Sequence, residues 1–389
     1  VRLAYFTDSL PPLTDGVART YTWLAQALDD AGDDFRFVSP MLPAEDLPWR
    51  GRVLRQPSVA FPLYRYYRVG LPWPPRLYAQ LDAFKPQLVQ VAAPTPLGWA
   101  GIHYARSRRL PVVSSYHTHF TDYFRYYGLG ALEGAGWALL RRFHNATDRT
   151  YAPSRGALDR LDAEGIQRLE LWERGLDASR FSPQFASPQE RGRWAAEGEL
   201  LALYAGRLVA DKDLRVLAGA LELARERGLS VRAVFAGDGP LRHELQARLP
   251  YDHFPGFVHG EALSRLYASA DLFTFPSPNE TFGNVVLEAM ASGLPVLAVH
   301  AGGPVDLVEH GRSGLLTAPG DARAFAAGLL RLARDPGLRR SLAAHGLARA
   351  QRYHWREVHG RLRASYEGLL RGREGTAAEA PEPALGQAR

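Results

Sequence analysis

The chain has 389 residues, 46% of them apolar and 23% charged, a length and mix that suit two or so globular domains. It contains no cysteine, which excludes disulfides, thiolate metal sites and a cysteine nucleophile, and no window approaches the roughly 18 continuous apolar residues of a membrane-spanning helix. The net charge of +6 comes from 47 basic and 41 acidic residues, and only Lys85 and Lys212 are lysines, so a lysine stands out against pervasive use of arginine.

Residues 2–6 read as a strand rather than as a basic, then apolar, leader, so a cytoplasmic protein is expected, with contact to a membrane surface still open. Further strand patterns follow at 35–39, 88–92 and 112–116, with helical patterns between them at 17–28 and 97–106. A second series begins at 200–205 and continues at 231–236, 272–275 and 295–299, separated by helical patterns at 214–227, 241–249 and 285–291. Strands alternating with helices predict parallel sheets covered on both faces, with ligands at the carboxyl ends of the strands. The expected fold class is therefore α/β, built of two doubly wound, Rossmann-like domains. The irregular, polar stretch 171–199 places the boundary so that 1–172 and 173–354 form the two domains. A last amphipathic helix at about 355–371 is expected to return to the first domain, and the Ala-, Glu-, Pro- and Gly-rich stretch 372–389 reads as disordered.

Chemistry concentrates where strands end. In 276–298, PSPNETFGNVVLEAMASGLPVLA, a strand ends near Pro276 and a helix opens at Gly283-Asn284-Val285, offering backbone N–H groups and partial positive charge to a phosphate. Glu280 precedes that helix and Glu288 lies within it; both could face one bound ligand, but alone the pair reads more readily as a dipole-complementing acid and a solvated helix residue. In 204–214, YAGRLVADKDL, Arg207 and Lys212 fit either a diphosphate clamp or a surface turn. The Asp211-Lys212-Asp213 run carries its own cation, and no metal site is expected. Gly16 opens the helix after the first strand, either to admit an anionic group close to the backbone or within an ordinary cap made by Thr14 or Asp15.

Together these segments resemble the retaining family-four glycosyltransferases, the group 1 enzymes with an E-x7-E motif and the fold called GT-B, among them glycolipid-forming and mannosyltransferase-like members. The likeness runs through ETFGNVVLEAMASGLPVLA and GGPVDLVEHGRSGLL (302–316), FAGDGPLRHEL (235–245), GFVHGEALSRLYASADLF (256–273) and RGLDASRF (174–181). It implies transfer of a hexose from a UDP- or GDP-sugar with retained configuration and no further cofactor. Arg207 and Lys212 would hold the diphosphate, and Glu280 and His117 the sugar. Gly16, Gly237, Phe257, Val258, Phe282, Gly283, Asn284, Val285 and Glu288 would border the donor, with Glu288 on the ribose. His119 stands where many relatives carry an acid, a place that Asp122 would fill. No covalent nucleophile is implied: retention would proceed by same-face displacement, the leaving phosphate helping to deprotonate the acceptor.

The stretch 48–81 holds Arg50, Arg52, Arg55, Arg65, Arg68 and Arg76 with no acid, interleaved with aromatics that include Tyr66 and Trp73. This suits an anionic membrane surface and a lipid or glycolipid acceptor at the inner face of the cytoplasmic membrane, or equally a proline-rich loop with inward aromatics. Nucleic acid is not expected. A dinucleotide-dependent oxidoreductase is disfavoured because no G-x-G-x-x-G follows a strand.

Overall fold

The structure, a computed structural model, describes residues 1–13, 15–61, 64–119, 121 and 130–378, without the side chains of 61, 64–67 and 373–378. Two parallel sheets organise the chain. The first has strand order β3-β2-β1-β6-β7-β8-β9, from β1 (Arg2–Phe6), β2 (Asp34–Ser39), β3 (Val53–Arg55), β6 (Leu88–Val91), β7 (Val112–Ser115), β8 (Arg149–Ala152) and β9 (Leu169–Leu171). The second has order β12-β11-β10-β13-β14-β15, from β10 (Leu200–Ala205), β11 (Val231–Ala236), β12 (His253–Gly256), β13 (Leu272–Phe275), β14 (Val296–Val299) and β15 (Gly314–Thr317). Central strands such as β10 are buried at every position, as a sheet covered on both faces demands.

Chain order reverses between β1 and β6 in the first sheet and between β10 and β13 in the second. At such a switch point the connections leave on opposite faces and open a crevice at the strand ends. The segments after β1, β10 and β13, which carry Gly16, Arg207 with Lys212, and Glu280, are therefore set around crevices by topology.

The predicted helices form with local capping that explains their limits. Asp15 accepts from Val17 and Ala18 N–H at the start of the helix Gly16–Asp30, and Thr95 from Gly98 N–H at Pro96–Ser107. The returning helix Trp355–Ala378 buries Val358, Leu362 and Tyr366 against Leu3, Tyr5 and Tyr21 of the first sheet's layer. It extends past the expected end near residue 371, so 372–378, expected to be disordered, continue the helix.

Two further departures concern strands that the sequence reading did not expect. Strands β8, β9, β12 and β15 have three or four residues each and take their identity from the neighbours they pair with. Within 48–81, Ser58–Phe61 (β4) pairs antiparallel with Tyr64–Gly70 (β5), and Trp49 is buried in the core.

Candidate active site

The loop after β10 runs Gly206-Arg207-Leu208 and is held by the turn after β11. Gly206 N–H donates to Ala236 O (3.0 Å), Leu208 N–H to Asp238 O (2.9 Å), and Leu241 N–H to Leu208 O (3.0 Å). A Cβ on Gly237 would lie 1.8 Å from Gly206 O, and one on Gly239 2.4 Å from Leu208 O, so no larger residue fits at either position. Gly237, expected beside the nucleotide, thus sets the loop that exposes Arg207.

Lys212 follows in a single turn. Its Nζ lies 2.6 Å from Glu280 Oε1 and 3.3 Å from Asp211 Oδ2. Burial opposes its charge, but the carboxylates of Glu280 and Asp211 outweigh that opposition and hold its pKa above the ordinary lysine value. Asp213 adopts the left-handed conformation (φ 53°) that ends the turn, and burial raises its pKa. The two acids of the Asp-Lys-Asp run therefore serve separate ends of the turn.

Glu280 lies in the loop that leads from β13 to the helix Asn284–Ala291. The loop rests on Gly302-Gly303: Gly303 N–H donates to Glu280 O (2.7 Å), and a Cβ on Gly303 would fall 2.1 Å from Phe282 O. Gly283, at φ 93°, turns the chain into the helix, and no described side chain caps its first N–H groups. Asn284 Oδ1 is buried there without a partner among the described residues. Phe282 is buried against Tyr353, Val285 is partly buried, Val258 packs on the second core, and Phe257 is 57% exposed.

Several contacts cross between the layers of the two sheets. Thr281 Oγ1 donates to His117 O (3.0 Å), and Asp306 Oδ2 accepts from Arg155 N–H (2.5 Å) and Gly156 N–H (3.3 Å). A Cβ on Gly16 would lie 3.6 Å from Asn284 Nδ2. At that helix start Asp15 takes the Val17 and Ala18 N–H groups, and Gly16 brings the backbone close to Asn284. Glu288 is buried, with Oε1 paired to Arg19 of the opposite layer and Oε2 accepting from Tyr267 OH (3.1 Å).

His117 is buried at the end of β7, with Nδ1 2.9 Å from Arg174 Nη2 and Nε2 2.8 Å from Ser115 Oγ. Its pKa lies well below the ordinary histidine value, through burial first and the Arg174 charge second. Both ring nitrogens thus have partners in the protein, and the histidine meets the opposite layer through its carbonyl oxygen. His119 Nδ1 lies 2.9 Å from Tyr116 OH, while Asp122 is outside the described residues.

Residues 14–180 match the family described as Glycosyltransferase Family 4, and 199–335 that described as Glycosyl transferases group 1. A GDP-mannose-dependent alpha-mannosyltransferase of Mycobacterium tuberculosis is 37% identical over 82% of this chain and 85% of its own. The chain belongs to the family-four glycosyltransferases.

An alpha-monoglucosyldiacylglycerol synthase of Streptococcus pneumoniae is 25% identical to this glycosyltransferase over 77% of the chain and 71% of its own length. The crystal structure of Anabaena HepE in complex with UDP shares its fold, with a TM-score of 0.77 at 19% identity over 94% of this chain and 99% of that one. The two sheets of this glycosyltransferase are those of the GT-B fold.

Sequence reasoning missed Arg19, Tyr267, Thr281 and Arg174. Arg19 carried one signal, its position one helical turn after Gly16 and so on the same face. Arg174 carried only its place at the head of RGLDASRF, since a buried arginine looks like any other in so arginine-rich a chain. In the basic stretch, Arg52 pairs with Asp29 (2.6 Å), Arg68 Nε donates to Ser58 Oγ (2.8 Å), and Trp73 is 67% exposed. Arg65 and Tyr66 lie on β5, with their side chains outside the described part. No helix among the described residues is long and apolar enough to cross a membrane.

Proposed function

We propose that this glycosyltransferase moves a hexose from a GDP- or UDP-sugar to a lipid or glycolipid acceptor with retained configuration. In this reading 1–172 with the returning helix form an acceptor domain and 173–354 a donor domain. The observation that carries it is Lys212 paired at 2.6 Å with Glu280, in the loop that leads into the helix Asn284–Ala291, whose start no described side chain caps. Lys212, with Arg207 exposed nearby on the same loop, supplies fixed positive charge beside backbone N–H donors, which suits a departing diphosphate.

The chemistry follows from that charge. As the glycosidic bond to the diphosphate breaks, negative charge grows on the leaving oxygens, and preorganised donors stabilise it more than the ground state. The anomeric carbon becomes oxocarbenium-like while Glu280 and the His117 region hold the sugar. The leaving oxygen then takes the acceptor's proton as the acceptor attacks from the same face, which retains configuration without a covalent intermediate. Exclusion of water from the closed cleft keeps the donor from hydrolysis.

GDP-mannose is the first donor to try, because the mycobacterial relative is named for it. A lipid acceptor is supported by the diacylglycerol in the name of the pneumococcal relative and by exposed Trp73 beside a basic strand. Such an enzyme would act from the cytoplasm, at the inner face of the membrane.

The test incubates the purified protein with GDP-mannose or UDP-glucose and vesicles of phosphatidylglycerol with diacylglycerol, and reads product configuration by NMR. An α-linked glycolipid is expected. Arg207→Ala and Lys212→Ala should fold normally and lose about 10²–10³ in kcat, the effect of removing one preorganised donor. A β-linked product, or near-normal turnover by both variants, overturns the mechanism; transfer only to water-soluble acceptors overturns the lipid assignment.

A further inference from the structure

Arg174 is 5% exposed, yet no carboxylate pairs with it among the described residues. Its guanidinium lies over the Trp172 ring at 4.9 Å, Nη1 donates to Trp172 O at 2.8 Å, and Nη2 lies 2.9 Å from His117 Nδ1. A buried cation without an anion is expensive, and desolvation lowers its pKa from the usual arginine value to about 10. It still remains a cation at neutral pH, so its charge acts on whatever it touches.

What it touches is decided by proton counting. A guanidinium has donors and no acceptor, so the Arg174 contact requires a lone pair on His117 Nδ1. The neutral ring must then carry its proton on Nε2, which faces Ser115 Oγ at 2.8 Å and Tyr21 OH at 3.3 Å. A second relay reaches the same serine. Tyr366 OH donates to Gln90 Oε1, which points Gln90 Nε2 toward Ser115 Oγ at 3.2 Å. The serine oxygen thus accepts from both Gln90 and His117, consistent with a proton on Nε2.

We propose that Arg174 is a positioning residue that locks His117 as the neutral Nε2–H tautomer, so that the ring, its one N–H given to Ser115, borders the sugar uncharged and never acts as an acid. The assignment to the sugar rests on the function proposed above; the tautomer does not. Among the described residues the charged and titratable groups facing the ring are Arg174, Tyr21 and His144. Burial takes His144 down to about 3, so it is neutral, and Tyr21 is pushed up to about 12, so it is a phenol. Arg174 is the one cation among them, and it disfavours a second proton on His117 wherever the arginine is charged.

The same lock explains why a histidine at the end of β7 can border a site handling a cationic, oxocarbenium-like sugar. A histidine that protonated near its ordinary pKa of about 6.5 would oppose that developing charge and would make turnover fall in mild acid. A neutral ring does neither.

The test reads the ring directly in the full-length, ligand-free protein labelled with 15N-histidine, its His117 signals assigned by their loss in His117→Gln. Wild type should show an unprotonated Nδ1 and a protonated Nε2, unchanged from about pH 8 to about pH 5. Arg174→Gln keeps a donor to Nδ1 without the charge: the tautomer should persist while the ring begins to titrate. Arg174→Met removes both, and should give mixed tautomers and a kcat falling about tenfold per pH unit below the new pKa.

A wild-type His117 that carries its proton on Nδ1, or titrates between about pH 6 and 7, overturns the proposal without reference to any variant. So does an Arg174→Met protein with wild-type histidine signals and an unchanged pH profile. The spectra of the free protein stand even if no glycosyl transfer is found, which separates this inference from the proposed function.

Discussion

Asp8, at the end of the first strand, shows how one buried carboxylate can tie stability to pH near the crevice. It is 2% exposed, accepts from Thr95 OH (2.6 Å) and Gly70 N–H (2.7 Å), and burial pushes its pKa up to about 6. A folded-state pKa above the unfolded value near 3.8 favours the fold while the group is protonated. That contribution is complete below about pH 4 and lost as pH rises through about 6, a change of about 3 kcal/mol. Asp8→Asn keeps an acceptor for Gly70 and gives Thr95 a donor, removing the charge alone. Denaturant unfolding at pH 7 should show the variant more stable than wild type by about that amount or less, with the difference vanishing near pH 4. A variant equally destabilised at both pH values would mean that the carboxylate is paired more strongly than its burial implies. Lys212 shows the opposite balance, where two carboxylates overcome burial and preserve the charge that the proposed chemistry would use.

Among the elements, the loop 276–283 depends on a neighbour it does not contact through side chains. Gly302 and Gly303 let the backbone at Pro278, Glu280 and Phe282 lie directly on the turn after β14; a Cβ on Gly302 would sit 2.8 Å from both Glu280 O and Pro278 O. Two separate stretches of the sequence are thus one site: GGP is the floor on which NETFGN rests. Gly303→Ala should displace this loop and with it Glu280 and the start of the helix Asn284–Ala291. The expected result is a folded protein, by circular dichroism, whose kcat falls at least about tenfold, because a misplacement near 1 Å at a reacting centre can cost 10²-fold. Wild-type kcat in Gly303→Ala would show that the loop tolerates the shift. The same logic binds Gly237 and Gly239 to the Arg207 loop, where a Cβ would fall 1.8 Å and 2.4 Å from backbone oxygens.

Across the whole molecule, the two layers meet through polar contacts that a donor must accommodate. Among them is the pairing of Arg19 with Glu288, whose other oxygen is held by Tyr267. A ribose diol that uses Glu288 has to share or displace Arg19. The arginine side chain is 42% exposed but that of Glu288 only 4%, so water and salt reach the pair from the arginine side alone. Arg19→Ala should therefore tighten binding of GDP or UDP by a few-fold in titration calorimetry, since Glu288 then waits with one partner instead of two. Weaker binding would assign Arg19 to the nucleotide instead. Closure is also anchored at the crossing segments: Leu176 N–H donates to Tyr353 O (2.7 Å), and Gly175 leaves room for Trp355, which a Cβ would meet at 2.2 Å.

Period, turn chemistry and motif are local properties, and they determined this protein's two parallel sheets, its main helices and its family. The short apolar run Leu200–Ala205 fits a strand buried on both faces, and Gly283-Asn284 before VVLEAMA fits the opening of a helix. Those signals brought Lys212, Glu280 and the start of the helix Asn284–Ala291 to one place because β10 and β13 are neighbours at a switch point. Tertiary structure decided what depends on distant partners. The hairpin β4–β5 and the burial of Trp49 resolved the basic stretch into folded and exposed parts. Whether an arginine is solvated like Arg207 or buried like Arg174 is absent from its identity, because burial is set by what other segments cover. The partners of His117 and Glu288 came from residues 57 and 269 positions away, and only the packing of the layers could choose them.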